Sequence, residues 1–141
     1  MVIIRPFKME ELDEIVNLYI ESFKDKTNNI EYRTNKFRKD VKRFTKLNVP
    51  GDILVAIEHN EIVGFASFIL KGHWYFGPIA VNEKWRNKKI GEKLLEESLN
   101  YIKKEGGGLI RLTVQKRNEI AIQIYEKFNF EISSYIMELK I

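Results

Sequence analysis

The chain has 141 residues, a hydrophobic content of 44% and a formal net charge of +4 at pH 7. This length can bury one hydrophobic core and is too short for two independent domains, so we predict a single domain over residues 1–141. Because the chain has no cysteine, a thiolate nucleophile, a thiolate metal ligand and a disulfide are excluded, and its two histidines alone cannot build a metal site.

The composition also bears on location and partners. No apolar run approaches the roughly 20 residues that cross a bilayer, and no charged start precedes a long apolar core, so we expect a soluble, cytoplasmic protein with no membrane contact. The positive charge would suit an anionic ligand. At a charged content of 31%, however, extra lysines are often only a solvated surface, so nucleic-acid binding is the less favoured interpretation.

The first half of the chain predicts a strand, two helices and a hairpin. A short strand over residues 2–4 is ended by Pro6, which lacks a backbone donor. The next segment begins with an acidic first turn and then has apolar residues at helical spacing, which predicts a helix. These apolar residues are Leu12, Ile15, Val16, Tyr19 and Phe23. A basic amphipathic helix follows, with an apolar stripe at Phe37, Val41, Phe44 and Leu47. Turn residues then introduce two β-rich runs, 53–57 and 62–70, which predict an antiparallel hairpin.

The second half predicts a bulged strand and a strand–helix–strand unit. Residues 74–81 form an aromatic and β-branched strand that Gly77 and Pro78 interrupt, which marks a bulge or an edge. A helix over about 89–105 stops at three glycines, a strand over 109–114 follows, and the last helix covers 118–128. Residues 130–141 are rich enough in β-branched and aromatic residues for one or two strands. The order β-α-α-β-β-β-α-β-α-β predicts an α/β fold with a mixed, mostly antiparallel central sheet flanked by about four helices.

The turn from Arg86 to Gly91 connects the bulged strand to the helix that follows it. A helix N-terminus presents unpaired N–H groups and a partial positive charge, and it is a common place for phosphates. Lys84, Arg86, Lys88 and Lys89 add positive charge to this turn. We therefore expect an anionic ligand here.

The segments around this turn resemble the motifs of one family. The strand Gly77-Pro78-Ile79-Ala80-Val81, the turn up to Gly91 and the pair Leu94-Leu95 resemble the cofactor-binding motif of the GNAT superfamily of acetyl-CoA-dependent N-acetyltransferases. Residues 118–130 resemble the family's second cofactor-side motif, and the run from Ile4 to Ile15 is similar to its opening strand and helix. On these matches the chain is identified as a member of the superfamily, which implies a single-domain GNAT-like fold.

The resemblance also implies a binding site for acetyl-CoA and no metal. A strand segment would pair with the pantetheine arm through its backbone, the basic turn would hold the diphosphate, and Asn118, otherwise an ordinary N-cap, would contact the cofactor. The cofactor-binding residues implied are Ile79, Ala80, Val81, Arg86, Asn87, Lys88, Lys89, Ile90, Gly91, Asn118 and Tyr125. Lys84, Lys88 or Lys93 either reaches the ribose phosphate or is a plain surface lysine.

Two positions of the turn depart from the family pattern, because Asn87 and Lys89 stand where the family usually has glycines. Asparagine tolerates left-handed backbone well. Lys89 would hold the backbone farther from the diphosphate, although its ammonium would attract the same group. Glu92 suits the helix dipole but would crowd a phosphate. These departures predict either weaker binding of acetyl-CoA or a site that no longer binds it.

Tyr125 is the predicted catalytic residue. Its place on an apolar helical stripe is typical of a core tyrosine, but the family has a tyrosine here beside the cofactor sulfur, so we favour a general acid that protonates the leaving thiolate. The general base is unassigned, because Thr113 stands where some family members carry a glutamate. The alternatives are Glu21, His73, Tyr75 or a chain of waters.

The function implied is direct transfer of acetyl from acetyl-CoA to a primary amine, on a small molecule, a protein N-terminus or a lysine, through a ternary complex. No cysteine is present to form a covalent intermediate. The acceptor would enter between the first two helices and the hairpin side of the sheet, bordered by the basic residues 33–46. The alternative is a binding module of the same fold, either a CoA sensor or a nucleic-acid binder. A homodimer is left open.

Overall fold

The computed structural model describes residues 2–141, which form a central sheet with helices on both faces. The strands are β1 (Ile3–Pro6), β2 (Gly51–Glu58), β3 (Glu61–Lys71), β4 (His73–Val81) and β5 (Ile110–Arg111). The helices are α1 (Leu12–Phe23), α2 (Ile30–Lys46), α3 (Ile90–Lys104) and α4 (Glu119–Lys127), and short 3-10 helices cover Met9–Glu11 and Glu83–Trp85. Within the described chain, no helix is both long enough and apolar enough to cross a bilayer.

The five strands lie in the order β1-β2-β3-β4-β5. The first four are antiparallel neighbours, and only β4 and β5 are parallel. The predicted hairpin is confirmed as β2 and β3, and the four predicted helices are all present within a few residues of their expected bounds. The mixed, mostly antiparallel α/β fold is therefore confirmed.

Two cores lie on opposite faces of the sheet. On one face α1 and α2 pack against β2 to β4, and the buried residues there are Ile15, Val16, Tyr19, Phe37, Val41, Ile53, Val55, Phe65 and Ala80. On the other face α3 packs through Ile90, Leu94, Leu95 and Ile102 against Leu54, Ala56, Val63, Ala66, Phe68, Trp74 and Phe76. Each helix buries one stripe, as their amphipathic spacing requires.

The predicted bulge in β4 is confirmed by its register with β3. Ala66 pairs with Ile79 and Phe68 pairs with Phe76, so the single residue Ser67 faces the two residues Gly77 and Pro78. The extra residue shifts the side-chain alternation by one. Trp74 and Phe76 before the bulge and Ile79 and Val81 after it consequently lie on the same face, the face of α3.

The strand predictions for the two ends of the chain need correction. Residues 130–141 were predicted to hold one or two strands, but they form neither strand nor helix, because no edge of the described sheet lies against them. The predicted strand over 109–114 is reduced to Ile110–Arg111, since β4 and β5 diverge after two pairs. At the other end, β1 runs on through Pro6, which an edge strand tolerates.

Candidate active site

The divergence of β4 and β5 leaves one edge of β4 open. The two strands pair only at Trp74 with Ile110 and at Tyr75 with Arg111, so from Phe76 to Val81 no other strand of residues 2–141 lies on that side. The N–H of Asn82 donates to the Val63 carbonyl at 2.7 Å, toward β3. Because successive N–H groups of a strand point to opposite edges, the N–H groups of Ile79 and Val81 point to the open edge.

A cavity of about 160 Å³ lies beside this open edge, on the α3 face of the sheet. Its walls come from β4, from the first two turns of α3 and from α4: Ile79, Gly91, Leu95, Ala121, Ile124 and Tyr125. Apart from the phenol of Tyr125, the side chains are apolar, which suits an alkyl chain rather than a charged ligand. A second cavity of about 180 Å³, between β1 and the C-terminal half of α3, contains none of the predicted site residues.

The basic turn, residues 86–89, leads into α3, whose second residue Gly91 lines the cavity; the open edge of β4 and this cavity are together called the cleft. Asn87 has a φ of 64° and Lys89 a φ of 61°, so both residues adopt the left-handed conformation that favours glycine. Lys89 is the N-cap of α3, and the side chains from Arg86 to Lys89 are exposed. The backbone therefore keeps the shape of a glycine turn although two glycines are replaced.

Two side chains of the turn are held by neighbouring groups. Arg86 donates from Nε to the Val81 carbonyl at 3.2 Å, which holds its guanidinium at the C-terminal end of β4. Lys88 places Nζ 5.7 Å from the centre of the Trp85 ring. A guanidinium has five N–H donors, so Arg86 keeps donors for an anion while it holds the strand end.

Glu92, in the first turn of α3, forms an ion pair that was not foreseen. Its Oε2 lies 3.3 Å from Nζ of Lys127 in the last turn of α4. The predicted crowding of a phosphate by Glu92 is thus opposed by an ammonium on the facing helix. The two residues are far apart in sequence, and no local pattern indicates the pair.

Tyr125 faces the cavity and packs at the same time. Its ring lies edge-on to Phe76 at 6.5 Å and to Phe130 at 5.7 Å between centroids. Burial raises the pKa of its phenol above the usual value, so the hydroxyl is protonated at neutral pH. The helix that carries Tyr125 begins at Asn118, whose Oδ1 accepts from the Ala121 N–H at 3.2 Å in the predicted cap.

These features agree with a comparison to protein families. A model described as the acetyltransferase (GNAT) family matches residues 12–130. The chain belongs to the GNAT acetyltransferase family. It is therefore an acyltransferase by family, and the match includes β2 to β5 and all four helices. A search of curated proteins gives no sequence match.

Solved structures share the GNAT fold at low sequence identity. A candidate acetyl transferase from Pyrococcus furiosus is 22% identical, with 100% of both chains covered and a TM-score of 0.83. The PaiA N-acetyltransferase from Thermoplasma acidophilum, in complex with coenzyme A, is 21% identical over 96% of this chain and 93% of its own, with a TM-score of 0.77. The ribosomal-protein-S18-alanine N-acetyltransferase from Escherichia coli is 18% identical over 95% and 80%, with a TM-score of 0.77.

None of the candidate bases is brought to the Tyr125 cavity of this GNAT domain. Glu21 is exposed on α1 and lies 3.2 Å from Nζ of Lys24. The rings of His73 and Tyr75 lie 4.3 Å apart at the start of β4. Because side chains alternate along a strand and Phe76 lies on the α3 face with the cavity, the side chain of Tyr75 points to the opposite face of the sheet. Thr113 is exposed beyond the end of β5.

The basic helix α2 lies on the face opposite the cleft, and part of its charge is paired. Arg38 lies 3.2 Å from Asp13 of α1. Asp40 lies 2.9 Å from Arg43 and 2.7 Å from Lys71 of β3. The predicted positive border is therefore weaker than the sequence suggests. Among residues 2–141, no group of three histidine, cysteine, aspartate or glutamate residues could hold a metal ion.

Proposed function

We propose that this GNAT domain transfers an acetyl group from acetyl-CoA to a primary amine within a ternary complex. The observation that carries the proposal is the alignment of three features along one cleft: the open edge of β4, the apolar cavity at Tyr125 and the left-handed basic turn before α3. Coenzyme A is bound by the Thermoplasma relative and acetyl-CoA by a GNAT family relative from Brucella melitensis, which supports the same cosubstrate here. Because acetyl-CoA is made and used inside cells, the proposal places the protein in the cytoplasm.

The pantetheine arm would lie along the open edge of β4. Ile79 and Val81 direct their N–H groups to this edge, and an amide of the arm would pair with them as an added strand does. Ala80 forms a ladder pair with Phe65, so its backbone groups point to β3 and its side chain enters the core under α1. We therefore assign the backbone contacts with the pantetheine arm to Ile79 and Val81. Ala80 holds this part of β4 against β3 and makes no direct contact with the arm.

The diphosphate would bind at the turn. The N–H groups of the first turn of α3, at Ile90 and Gly91, have no acceptor inside the helix, and the helix dipole adds partial positive charge. The left-handed backbone at Asn87 and Lys89 folds the turn so that this end faces the cleft. Arg86 and Lys88 supply the full charges, and Asn118 borders the arm from the N-terminus of α4.

The chemical step follows from the groups around the cavity. The neutral amine attacks the thioester carbonyl, and the oxygen gains charge that an N–H of β4 stabilises. We assign this donor to Ile79 rather than to Val81, because Ile79 lines the cavity with Tyr125. As the carbon–sulfur bond breaks, Tyr125 gives its proton to the sulfur, and the proton lost by the amine restores the phenol. The apolar walls disfavour a bare thiolate as they disfavour a phenolate, so protonation of the sulfur matters here.

Amine-dependent release of thiol from acetyl-CoA tests the proposal. The acceptor panel contains small primary amines, peptides with a free N-terminus and peptides with an internal lysine. We expect thiol release above the rate without amine for at least one class. Tight binding of acetyl-CoA without turnover for any class would instead support the sensor, and binding of DNA or RNA that weakens steeply with salt would support the nucleic-acid module.

A further inference from the structure

Helix α4, which carries Tyr125, is held to the rest of the domain by little buried surface. None of its nine residues is fully buried. Its apolar side packs against the core under α3 through Ile124 and Tyr125, with Phe128 just after its end, and all three are only partly buried. A segment with so few buried contacts moves away from the core at a low cost in free energy. A single polar contact can therefore decide how closely α4 approaches the cavity.

One ion pair joins α4 to the facing helix. Nζ of Lys127, in the last turn of α4, lies 3.3 Å from Oε2 of Glu92, in the first turn of α3. Within residues 2–141, no other ion pair or side-chain hydrogen bond links α4 to another helix or strand. Each charge suits the dipole of its own helix, and the Glu92 side chain is only 23% exposed. The pair therefore ties together the two helices that line the cavity.

We propose that the Glu92–Lys127 ion pair is a clasp that holds α4 against α3 and so positions Tyr125 for proton transfer to the leaving sulfur. Both are positioning residues, because neither touches the reacting atoms. Gly91 and Tyr125, which line the cavity, each lie within two residues of the pair. Misplacement of a reacting group by 1 Å can cost about 10²-fold in rate, so a small movement of α4 would slow the reaction. This inference rests on the proposed acetyl transfer, but the clasp itself can be tested without substrate.

Opposite charges within the pair separate a clasp from a simple electrostatic effect on the cosubstrate. Glu92 repels the diphosphate that we place at the N-terminus of α3, whereas Lys127 attracts it. Glu92→Gln should therefore lower the Kd for acetyl-CoA, and Lys127→Met should raise it. Either substitution removes the whole clasp, so both variants should transfer acetyl more slowly once acetyl-CoA and amine are saturating. Opposite shifts in Kd together with the same loss of rate distinguish positioning from charge alone.

Single-turnover transfer at saturating acetyl-CoA and amine tests the positioning. We expect Glu92→Gln, Lys127→Met and the double variant to be slower by one common factor, roughly three- to tenfold. In a Tyr125→Phe background, Lys127→Met should cause no further loss, because the clasp acts through the phenol. Lys127→Arg keeps the pair and should restore the native rate, and Lys103→Met, which removes the same charge from the far end of α3, should match native. Native rates in both single variants, or an equal loss with and without the phenol, would overturn the proposal.

Hydrogen exchange tests the clasp without substrate, and so independently of the proposed function. The N–H groups of Ile122 and Phe128 are bonded to carbonyls of Asn118 and Ile124, one turn earlier in the helix. In Lys127→Met these N–H groups should exchange about 1.5- to 5-fold faster, the range expected for one exposed ion pair, while those of α3 keep their native rates. Native exchange rates in this variant would overturn the clasp. Faster exchange in a protein that acetylates no amine would support the clasp and contradict the proposed function.

Discussion

Gly91→Ala separates the stability of the fold from the binding of acetyl-CoA. Gly91 is the second residue of α3 and lines the cavity at Tyr125. An added Cβ would find its nearest heavy atom at Val81 Cγ2, 3.9 Å away, which is ordinary van der Waals contact. The backbone at Gly91 is not left-handed, so alanine fits, and its higher helix propensity stabilises by up to about 1 kcal/mol. We expect the free energy of unfolding to stay the same or to rise.

The same methyl group would occupy space that the substrate needs. Overpacking a close-fitting apolar site costs about 1–3 kcal/mol, and at about 1.4 kcal/mol per tenfold this weakens the Kd for acetyl-CoA roughly 5- to 140-fold. Calorimetric titration with acetyl-CoA and urea unfolding of the same preparation measure both quantities.

Gly51→Ala is the matched control with the opposite pattern. Its Cβ would lie 2.7 Å from the Phe68 carbonyl oxygen, in β2 and away from the cleft. We expect this variant to lose stability and to keep its affinity for acetyl-CoA while folded. Unchanged affinity in Gly91→Ala would refute the assignment of the cavity to acetyl-CoA.

Two further predictions concern stability. Lys89 and Asn87 both have left-handed backbone, a conformation that costs most non-glycine residues about 1–2 kcal/mol but that asparagine tolerates. In urea unfolding, Lys89→Gly should therefore be about 1 kcal/mol more stabilising than Asn87→Gly. Equal effects of the two substitutions would contradict a strained backbone at Lys89. Burial raises the pKa of Asp52 above its ordinary 3.8, so its contribution to stability is present below that value and is lost as pH rises through the folded pKa. Asp52→Asn keeps an oxygen that can accept the Ile53 N–H, which is bonded at 2.8 Å in the native protein. The free energy of unfolding of this variant should exceed the native value at pH 7, and the difference should shrink toward pH 4. A lower free energy of unfolding than native at pH 7 would contradict the argument.

Local patterns were enough to predict most of the fold. Helical spacing in α1 to α3 and the Gly77-Pro78 interruption are properties of short segments, and the structure has the helices and the bulge where expected. The strand predicted within 130–141 is wrong. Alternation shows only that a segment is compatible with a strand, and whether a strand edge lies against it depends on residues that are distant in the sequence.

The candidate site was predicted less completely. The turn at 86–91 is visible because charge and helix start are both local. The cavity at Tyr125 depends on where β4, α3 and α4 meet, and the ion pair of Glu92 with Lys127 joins two helices with no shared pattern. The bulge, finally, decides which N–H groups of β4 face outward, so only the register distinguishes Ile79 from Ala80.

The most direct test of the account is Tyr125→Phe, measured by acetyl-CoA titration and by single-turnover acetyl transfer at saturating amine. Phenylalanine keeps the edge-on contacts with Phe76 and Phe130, so only the hydroxyl is lost. We expect a Kd within about threefold of native and a transfer rate lower by roughly 10²-fold or more, as for a general acid. An unchanged rate with an unchanged Kd would return Tyr125 to a packing role and contradict the proposed chemistry.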